Sequence, residues 1–313
     1  MWTSDKIHRT FKASAISALA VLLAAVPLRA RTPDNDEKPR SVDVTVQGVA
    51  PGLLKQDNFR LLVDNKPVAF QLVPPETRTS ILFLVEDSQY SRWMLSKDLA
   101  TAILGLLDAS PKGTWFGLAT YSDRLKLDDD LTQNKERIVS ALRNLPQPVW
   151  PEVETFDAVY KALDELELIP GRRALVVIGS GYDRSSEHTA DEIQSKIEES
   201  HTLVYSIGIG SRLRGDYEPY LRYDRRMRFA QDELFLRLIA QDSGGMSWFP
   251  KNEDAFRDAA RQLELALKNQ YRLVYFAKVT GRHEFHPIRI EALEGTGSQR
   301  REIDVRARKG WRY

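Results

Sequence analysis

The sequence predicts an α/β fold: a doubly wound, mostly parallel sheet with helices on both faces, inserted in a small antiparallel β-sandwich built from the N- and C-terminal segments. Unbroken apolar runs at residues 81–85 and 174–178 are typical of parallel strands that are buried on both faces. Stretches with apolar residues at helical spacing separate such runs. Before and after this region, apolar and polar residues alternate, as in strands with one buried face.

The N-terminal residues have the pattern of a secretory signal. Basic residues precede an apolar stretch at 13–28, and Ala30 supplies a small residue for cleavage. We therefore expect residues 1–30 to be a signal peptide and the protein to be secreted or periplasmic, in a bacterial envelope. Membrane attachment is expected only through an uncleaved signal. Residues 31–40 are polar and contain proline, which predicts a flexible leader.

The composition excludes several classes of protein. The 313 residues contain 45 Lys and Arg, 44 Asp and Glu, and no Cys. The absence of Cys excludes a disulfide scaffold, a thiol nucleophile and a Cys-ligated metal. A formal charge of +1 lacks the basic excess of a dedicated nucleic-acid binder.

The flanking segments are predicted to form one small domain. Val42, Val44 and Val46 alternate with polar residues, and the alternation returns after Gln270. Because an isolated hairpin is barely stable, we expect residues 41–76 and 271–313 to pair into a single β-sandwich around the inserted segment 77–270.

Short sequence patterns predict two helix starts and one turn within the inserted segment. Asn134 is predicted to cap one helix, and Thr189 with Glu192 forms a capping box at the start of another. Residues 128–130, three consecutive Asp, are expected to form a solvated turn.

An unusual stretch at 211–228 holds six Arg and three Tyr between a predicted strand and a predicted helix. Arg and Tyr are favoured at protein interfaces, although a solvated loop explains the composition equally well. The partner-binding candidates here are Arg214, Tyr217, Tyr220 and Arg222.

Motifs spread along residues 41–313 resemble those of von Willebrand factor A-related proteins exported by acidobacteria. They are found at residues 56–60, 63–67, 81–88, 155–159, 174–178, 239–245 and 270–310. The resemblance implies a von Willebrand A-like fold for residues 77–270, used to bind other proteins rather than to catalyse a reaction.

The resemblance also implies a place for a metal-ion-dependent adhesion site, built from Asp-x-Ser-x-Ser, a Thr and a second Asp. The five positions hold Glu86, Ser88, Tyr90, Val153 and Ser180 in this chain. Val153 supplies no oxygen, and a phenol is bulky for the compact octahedron that Mg²⁺ requires. We therefore expect a degenerate site with no metal and no other cofactor. The alternative is a looser Mg²⁺ or Ca²⁺ site, rebuilt around Glu86 and Ser88 with neighbouring carboxylates.

The same loops remain candidates for binding a protein. Ligands of open α/β sheets lie beyond the carboxyl ends of the strands. The residues expected at that edge are Glu86, Asp87, Tyr90, Glu154, Tyr182 and Asp183. Their acidic and aromatic character predicts a partner with a basic patch, although solvated loop residues would have the same composition.

Catalytic patterns are weak, so no enzymatic activity is expected. Ser180 lies in Gly-Ser-Gly, which lacks the outer glycines of a nucleophile turn, and a serine hydrolase is kept only as a distant alternative. His283 and His286 do not have the spacing of a helical zinc motif and are interpreted as surface residues.

Overall fold

Three β-sheets and the helices around one of them make up the architecture. The computed structural model describes residues 37–73, 78–88, 91, 103–108, 110, 112–145, 152–210, 223–278, 284–295 and 301–312. The strands are β1 (Glu37–Val46), β2 (Phe59–Val63), β3 (Lys66–Pro67), β4 (Phe70–Val73), β5 (Thr79–Glu86), β6 (Trp115–Tyr121), β7 (Leu125–Thr132), β8 (Arg172–Gly179), β9 (Leu203–Gly208), β10 (Ser247–Trp248), β11 (Gln270–Lys278), β12 (His286–Glu294), β13 (Arg301–Ile303), β14 (Val305–Ala307) and β15 (Gly310–Trp311). The helices are α1 (Lys135–Arg143), α2 (Thr155–Glu167), α3 (Ala190–Glu199), α4 (Tyr223–Ser243) and α5 (Glu253–Lys268), and residues 103–108 are also helical.

The central sheet has six strands in the order β10-β9-β8-β5-β6-β7. The first five strands are parallel, and β7 pairs antiparallel to β6 at one edge. From β5 the chain continues to β6 on one side, and it later returns to place β8 on the other side. The connections that follow β5 and β8 therefore run to opposite sides of the sheet, which creates a crevice beyond the carboxyl ends of these two strands.

The apolar runs identified in the sequence are the interior strands of this sheet. Phe83 in β5 and Val176 in β8 are essentially inaccessible to solvent. Helices cover both faces, and residues 103–108, α1 and α5 share one hydrophobic cluster with the sheet. The long apolar runs are explained by this burial, because each strand has no solvent-facing side.

The predicted helix starts are confirmed. The Asn134 side chain accepts a hydrogen bond from Arg137 N at 3.3 Å, directly before α1. Thr189 and Glu192 form a reciprocal capping box at the start of α3. Both caps satisfy amide groups that have no partner inside the helix.

Two antiparallel sheets are formed by the segments on either side of the central sheet. One has the order β14-β1-β11-β4, and the other has the order β13-β12-β2-β3 with β15 paired to β12. Each therefore combines strands from both ends of the chain. Their inward-facing residues, among them Val44, Leu61, Leu273 and Ile290, belong to one hydrophobic cluster.

Three features differ from expectation. Strand β1 begins at Glu37, inside the predicted leader 31–40, because Glu37 to Thr45 pair with β11. Residues 128–130 lie in β7 rather than in a turn, since an edge strand tolerates charges and the Asp129 carboxylate pairs with Arg137. His286 is buried rather than on the surface, because it stacks on Trp311 and bonds to Asp64.

Buried polar contacts join the antiparallel sheets to the central sheet. Arg308 is 6% exposed and donates to the carbonyl oxygens of Ile197 and Ser200, at the end of α3. The Tyr205 hydroxyl lies 3.2 Å from Thr45 Oγ1 and 2.6 Å from Gln270 Nε2. These contacts contribute to holding residues 37–313 together as one compact unit.

Among the described residues, no helix has both the length and the apolar character needed to cross a membrane.

Candidate functional site

The crevice between β5 and β8 brings together three of the predicted positions, Glu86, Ser88 and Ser180. Glu86 is the last residue of β5, and Ser180 follows the last residue of β8. The strands run parallel and in register, with Val85 beside Ile178. The side chains that follow the two strands therefore meet at the carboxyl edge of the sheet.

The Glu86 carboxylate is enclosed by hydroxyl and amide groups. It has no solvent exposure. Oε1 accepts a hydrogen bond from Ser88 Oγ, and Oε2 accepts bonds from the backbone N–H of Ser180 and from Ser180 Oγ, the latter at 2.7 Å. Burial raises the pKa of Glu86, and the bonds from Ser88 and Ser180 oppose that rise. Both carboxylate oxygens are thus occupied within the protein.

Space around this carboxylate is limited by its neighbours. Gly179 has no side chain, and a Cβ atom there would lie 2.9 Å from Glu86 Oε2 and would collide with the Tyr121 hydroxyl. Tyr121 ends β6 and is 1% exposed. Burial raises the pKa of Tyr121 well above its ordinary value, and the charge of Glu86 adds to the effect.

The position expected for the Thr ligand is apolar and inaccessible. Val153 has no exposed surface, and its carbonyl accepts a bond from Arg184 N at 3.0 Å. Thr155, two residues later, supplies the nearest hydroxyl along the chain. That hydroxyl donates to the Tyr182 carbonyl, so it contributes to loop structure.

The loop after β8 is fixed to the start of α2. Asp183 Oδ1 accepts bonds from Phe156 N at 3.0 Å and from Ser186 Oγ at 2.6 Å. A carboxylate at this end of a helix is stabilised by the helix dipole. Further along, Asp157 bonds to both the backbone N and the ring Nδ1 of His188, each at 2.9 Å.

Four predicted partner-binding residues lie partly exposed around this edge: Asp87, Glu154, Tyr182 and Asp183. We call these four residues the acidic rim. Burial raises the pKa of Asp87 and of Glu154, and nearby Asp128 and Asp157 add to the respective rises. Lys126 and Lys161 oppose these rises without reversing them. Glu86, also predicted as a contact residue, lies beneath the surface instead because its carboxylate turns inward to Ser88 and Ser180.

One further carboxylate at this edge is not identified by any motif. Asp232 lies on α4, and burial together with Glu86 and Asp183 raises its pKa to about 7. The backbone oxygen of Asp232 would obstruct a side chain at position 181, which shows how closely α4 approaches the loop. Only tertiary packing brings Asp232 here, so no local sequence signal could have found it.

Several predicted residues cannot be placed. Tyr90 and the loop candidates Arg214, Tyr217, Tyr220 and Arg222 lie outside the described residues. Within the described ranges, no group of three or more His, Asp or Glu side chains is arranged to hold a metal ion.

The hydroxyl of Ser180 is engaged on two sides. It donates to Glu86 and accepts from Tyr182 N at 3.1 Å. A serine nucleophile instead needs a general base that takes its proton during the reaction. The observed partner of the hydroxyl is a buried carboxylate, enclosed by Tyr121 and Gly179.

Comparison with known proteins gives one family match. A family model described as von Willebrand factor type A domain matches residues 80–262. No match to the chain was found among curated proteins.

Solved structures similar to this chain include three of different origin. An aerotolerance-related membrane protein from Bacteroides fragilis is 16% identical, with a TM-score of 0.46, over 59% of this chain and 98% of that one. Proximal thread matrix protein 1 from the mussel byssus, with a zinc-occupied MIDAS motif, is 14% identical, with a TM-score of 0.47, over 64% and 48%. A von Willebrand factor type A protein from Catenulispora acidiphila is 10% identical, with a TM-score of 0.48, over 90% and 75%.

Proposed function

Because the chain belongs to the von Willebrand factor type A domain family, we propose that it is a non-catalytic protein-binding module. It binds its partner through the loops at the carboxyl edge of the central sheet. We further propose that binding there requires no metal ion. The observation that carries the proposal is the enclosure of the Glu86 carboxylate by Ser88 and Ser180.

The donors at the family's metal positions do not suit a hard divalent cation. Mg²⁺ requires near-octahedral coordination by oxygen atoms at about 2.0–2.1 Å. Both carboxylate oxygens of Glu86 accept hydrogen bonds from within the protein, and Val153 has no side-chain oxygen. To bind a cation, the carboxylate would have to give up bonds that compensate for its burial.

The acidic rim supplies the recognition chemistry in this proposal. Asp87, Glu154 and Asp183 are partly exposed. Tyr182, which directly precedes Asp183 in the loop after β8, is partly exposed as well. Uncompensated negative charge favours a partner with a basic patch, mainly by speeding association and by rejecting acidic surfaces. The Arg- and Tyr-rich stretch 211–228 is a second proposed contact region.

Export and domain organisation complete the proposal. We propose that residues 1–30 direct the chain to the bacterial envelope as a cleaved signal, so that the partner is a secreted or periplasmic protein. We also propose that the two antiparallel sheets form a single β-sandwich that carries the inserted domain. The shared hydrophobic cluster and the pairing of strands from both chain ends support this arrangement.

Affinity capture from native envelope extracts tests the proposed rim. The rim variant combines Asp87→Asn with Glu154→Gln, and the control combines Glu136→Gln with Glu199→Gln, two exposed residues away from that edge. We expect wild type and control to enrich the same protein, in EDTA as well as in Mg²⁺, and the rim variant to lose most of it. Equal enrichment by all three proteins would contradict the proposal.

Two alternatives are separated by specific measurements. A rebuilt Mg²⁺ or Ca²⁺ site around Glu86 and Ser88 predicts capture that EDTA abolishes. A serine hydrolase predicts labelling by a fluorophosphonate probe that is lost in Ser180→Ala. The present proposal predicts neither result.

A further inference from the structure

The outer face of α4 exposes a row of large apolar side chains. Met227, Leu234 and Leu238 are 45%, 51% and 39% exposed. They occupy positions i, i+7 and i+11 of the helix, and this spacing places them on one face. The other large apolar side chains that are exposed in the described part of the chain lie singly in different places: Leu53, Leu168, Leu265 and Phe276. Single exposed residues are normal, whereas a row of this kind indicates a binding surface.

The interior of the protein does not use this row. Leu236 and Ile239 lie on the opposite side of α4 and are buried, and the helix packs on β9 and α3. Ser206 Oγ in β9 donates a hydrogen bond to the carbonyl oxygen of Leu236 at 2.9 Å. α4 therefore carries apolar residues on two opposite sides, a pattern that is typical of a helix covered on both of them.

The exposed residues beside the row are basic or neutral. Within 226–243 they comprise three Arg, two Gln and one Ala in addition to the three apolar residues, and none of them is acidic. The acidic residues of the same stretch are buried or half-buried, and Asp242 pairs with Lys309 at 2.7 Å. The outer face of α4 is therefore both apolar and positively charged.

Two of these arginines border the row. Arg226 directly precedes Met227, and Arg237 directly precedes Leu238. Arg237 lies over the Phe249 ring, with its Cζ atom 4.5 Å from the ring centroid. Neither arginine forms an ion pair with another described residue. A carboxylate of a partner would supply the counter-charge that both of them lack.

This distribution of charge disfavours a second copy of the chain as the occupant. A two-fold symmetric dimer places the same surface on both subunits. Such a dimer would bring the exposed arginines of both copies into one interface that contains no exposed carboxylate of α4. Like charges across an interface are unfavourable, and they act against a wrong partner. The charge of α4 therefore favours an acidic partner.

We propose that the outer face of α4 binds an amphipathic helix of a protein partner, with aliphatic residues along its contact face and Asp or Glu along the edges. The exposed row of α4 packs against these aliphatic residues over about three turns, and Arg226 and Arg237 pair with the carboxylates. A helix fits because its side chains repeat at the spacing of the row. This surface overlaps the second proposed contact region only at residues 226–228, and it does not depend on the acidic rim.

The test uses the full chain, labelled with ¹³C at its methionine methyl groups, and a designed three-heptad peptide as the probe. The peptide carries Leu at heptad positions a and d, Glu at e and g, and Ala elsewhere, and its like charges oppose self-association. We expect the Met227 methyl resonance to shift saturably, while Met246, which packs against the hydrophobic cluster that includes α5, stays in place. The same peptide with Lys in place of Glu should bind at least about tenfold more weakly.

Two leucines of nearly equal exposure provide a matched pair. Leu234→Gln removes one apolar side chain from the row and should weaken binding of the Glu peptide at least about tenfold. Leu265→Gln changes a leucine that is 52% exposed on α5, outside the surface, and should leave binding unchanged. Gln is a good helix former, so both helices should persist.

The arginines are tested in the same way. Arg226→Gln combined with Arg237→Gln should weaken binding of the Glu peptide at least about fivefold and reduce its dependence on salt. Arg257→Gln combined with Arg261→Gln is the control, because these two arginines of α5 are exposed and pair with acidic residues of their own helix.

Three results would overturn the proposal. They are the absence of a saturable Met227 shift at solubility-limited peptide concentrations, equal binding of the Glu and Lys peptides, and equal effects of Leu234→Gln and Leu265→Gln. The acidic-rim variant should bind the Glu peptide as wild type does, and weaker binding would contradict the independence of the two surfaces.

Two other occupants are recognised by separate measurements on wild type and Leu234→Gln. Co-sedimentation with vesicles of equal parts phosphatidylglycerol and phosphatidylcholine, lost in the variant, would show that the surface binds lipid. A concentration-dependent dimer in analytical ultracentrifugation, lost in the variant, would show that a second copy covers it. Either result would reject a partner helix.

Discussion

At the scale of single residues, Glu86 links the strand ends at the carboxyl edge of the sheet. Its carboxylate connects Ser88, after β5, to Ser180, after β8. A buried carboxylate is tolerated only when hydrogen bonds replace the lost water. The same bonds that make burial possible also fix the two loops relative to each other.

Substitution of Glu86 tests that structural role. Glu86→Ala leaves the Ser180 N–H and two hydroxyls without their acceptor and creates a cavity, so we expect the free energy of unfolding to fall by about 2–4 kcal/mol. Glu86→Gln retains an acceptor for Ser180 N and a donor for Ser88 Oγ, and should stay within about 1 kcal/mol of wild type. Urea denaturation measures both. Equal losses in the two variants would show that the hydrogen bonds contribute little.

Asp232 provides a second residue-scale prediction, from its pKa of about 7. The folded-state pKa is above the ordinary value of 3.8, so the associated stability is present below about pH 4 and is lost as the pH rises through about 7. Asp232→Asn removes the charge, and we expect it to be more stable than wild type by about 1–2 kcal/mol at pH 8, a value reduced for its partial exposure.

Thermal unfolding of Asp232→Asn between pH 4 and pH 8 is the measurement, with Glu136→Gln as the exposed control. The gain should nearly disappear at pH 4, where the wild-type carboxyl is protonated. A gain that does not change with pH would mean that the ionisation of Asp232, opposed by its burial and by Glu86 and Asp183, is not its cause.

At the scale of elements, the interior strands were predictable because burial on both faces demands continuous apolar sequence, as at 81–85 and 174–178. The helix caps at Asn134 and Thr189 were predictable because a cap is a local interaction. The start of β1 at Glu37 was not, since its partner strand β11 lies more than 200 residues away in the sequence.

The candidate functional site was likewise predictable only in part. Glu86 and Ser180 could be placed together because parallel neighbouring strands end at one edge. The inward orientation of the Glu86 carboxylate and the approach of Asp232 depend on side-chain packing across the sheet, which carries no periodic signal. His286 could not be assigned to the interior because its stacking partner, Trp311, is contributed by a short strand at the chain's end.

The end of α3 offers an element-scale prediction. The buried Arg308 guanidinium donates to the carbonyls of Ile197 and Ser200, which have no partner inside the helix. Arg308→Ala should lower the free energy of unfolding by about 2–4 kcal/mol. Arg306→Ala removes an exposed Arg whose ion pair within the described residues is with Asp304, and should cost less than about 0.5 kcal/mol. Similar costs in chemical denaturation would contradict the role of Arg308 as a cap.

At the scale of the whole molecule, the strands before and after the central sheet pair with each other, and residues of these strands also contact the central sheet. Asp43, in β1, makes two hydrogen bonds to Arg272, at 2.8 and 2.7 Å. It also lies 3.8 Å from Nε of Arg172, which begins β8 in the central sheet. Burial lowers the pKa of Arg172, and the charge of Asp43 opposes that fall.

Asp43→Ala should therefore destabilise both parts of the molecule. It leaves two largely buried guanidinium groups without their carboxylate, which costs about 3–5 kcal/mol when one partner of a buried pair is removed. Hydrogen exchange should show faster exchange in β8 as well as in β1 and β11. Faster exchange confined to β1 and β11 would show that the two parts are stabilised independently.

We propose that partner binding at the carboxyl edge needs no metal, because the Glu86 carboxylate is hydrogen-bonded to Ser88 and Ser180. Isothermal titration calorimetry of the wild-type chain with MgCl₂, after treatment with EDTA and dialysis, measures whether this edge binds the ion, with Glu86→Gln as the reference. We expect only heats of dilution from both proteins, up to millimolar Mg²⁺. A saturable one-to-one isotherm for wild type in the micromolar range, absent from Glu86→Gln, would contradict the claim.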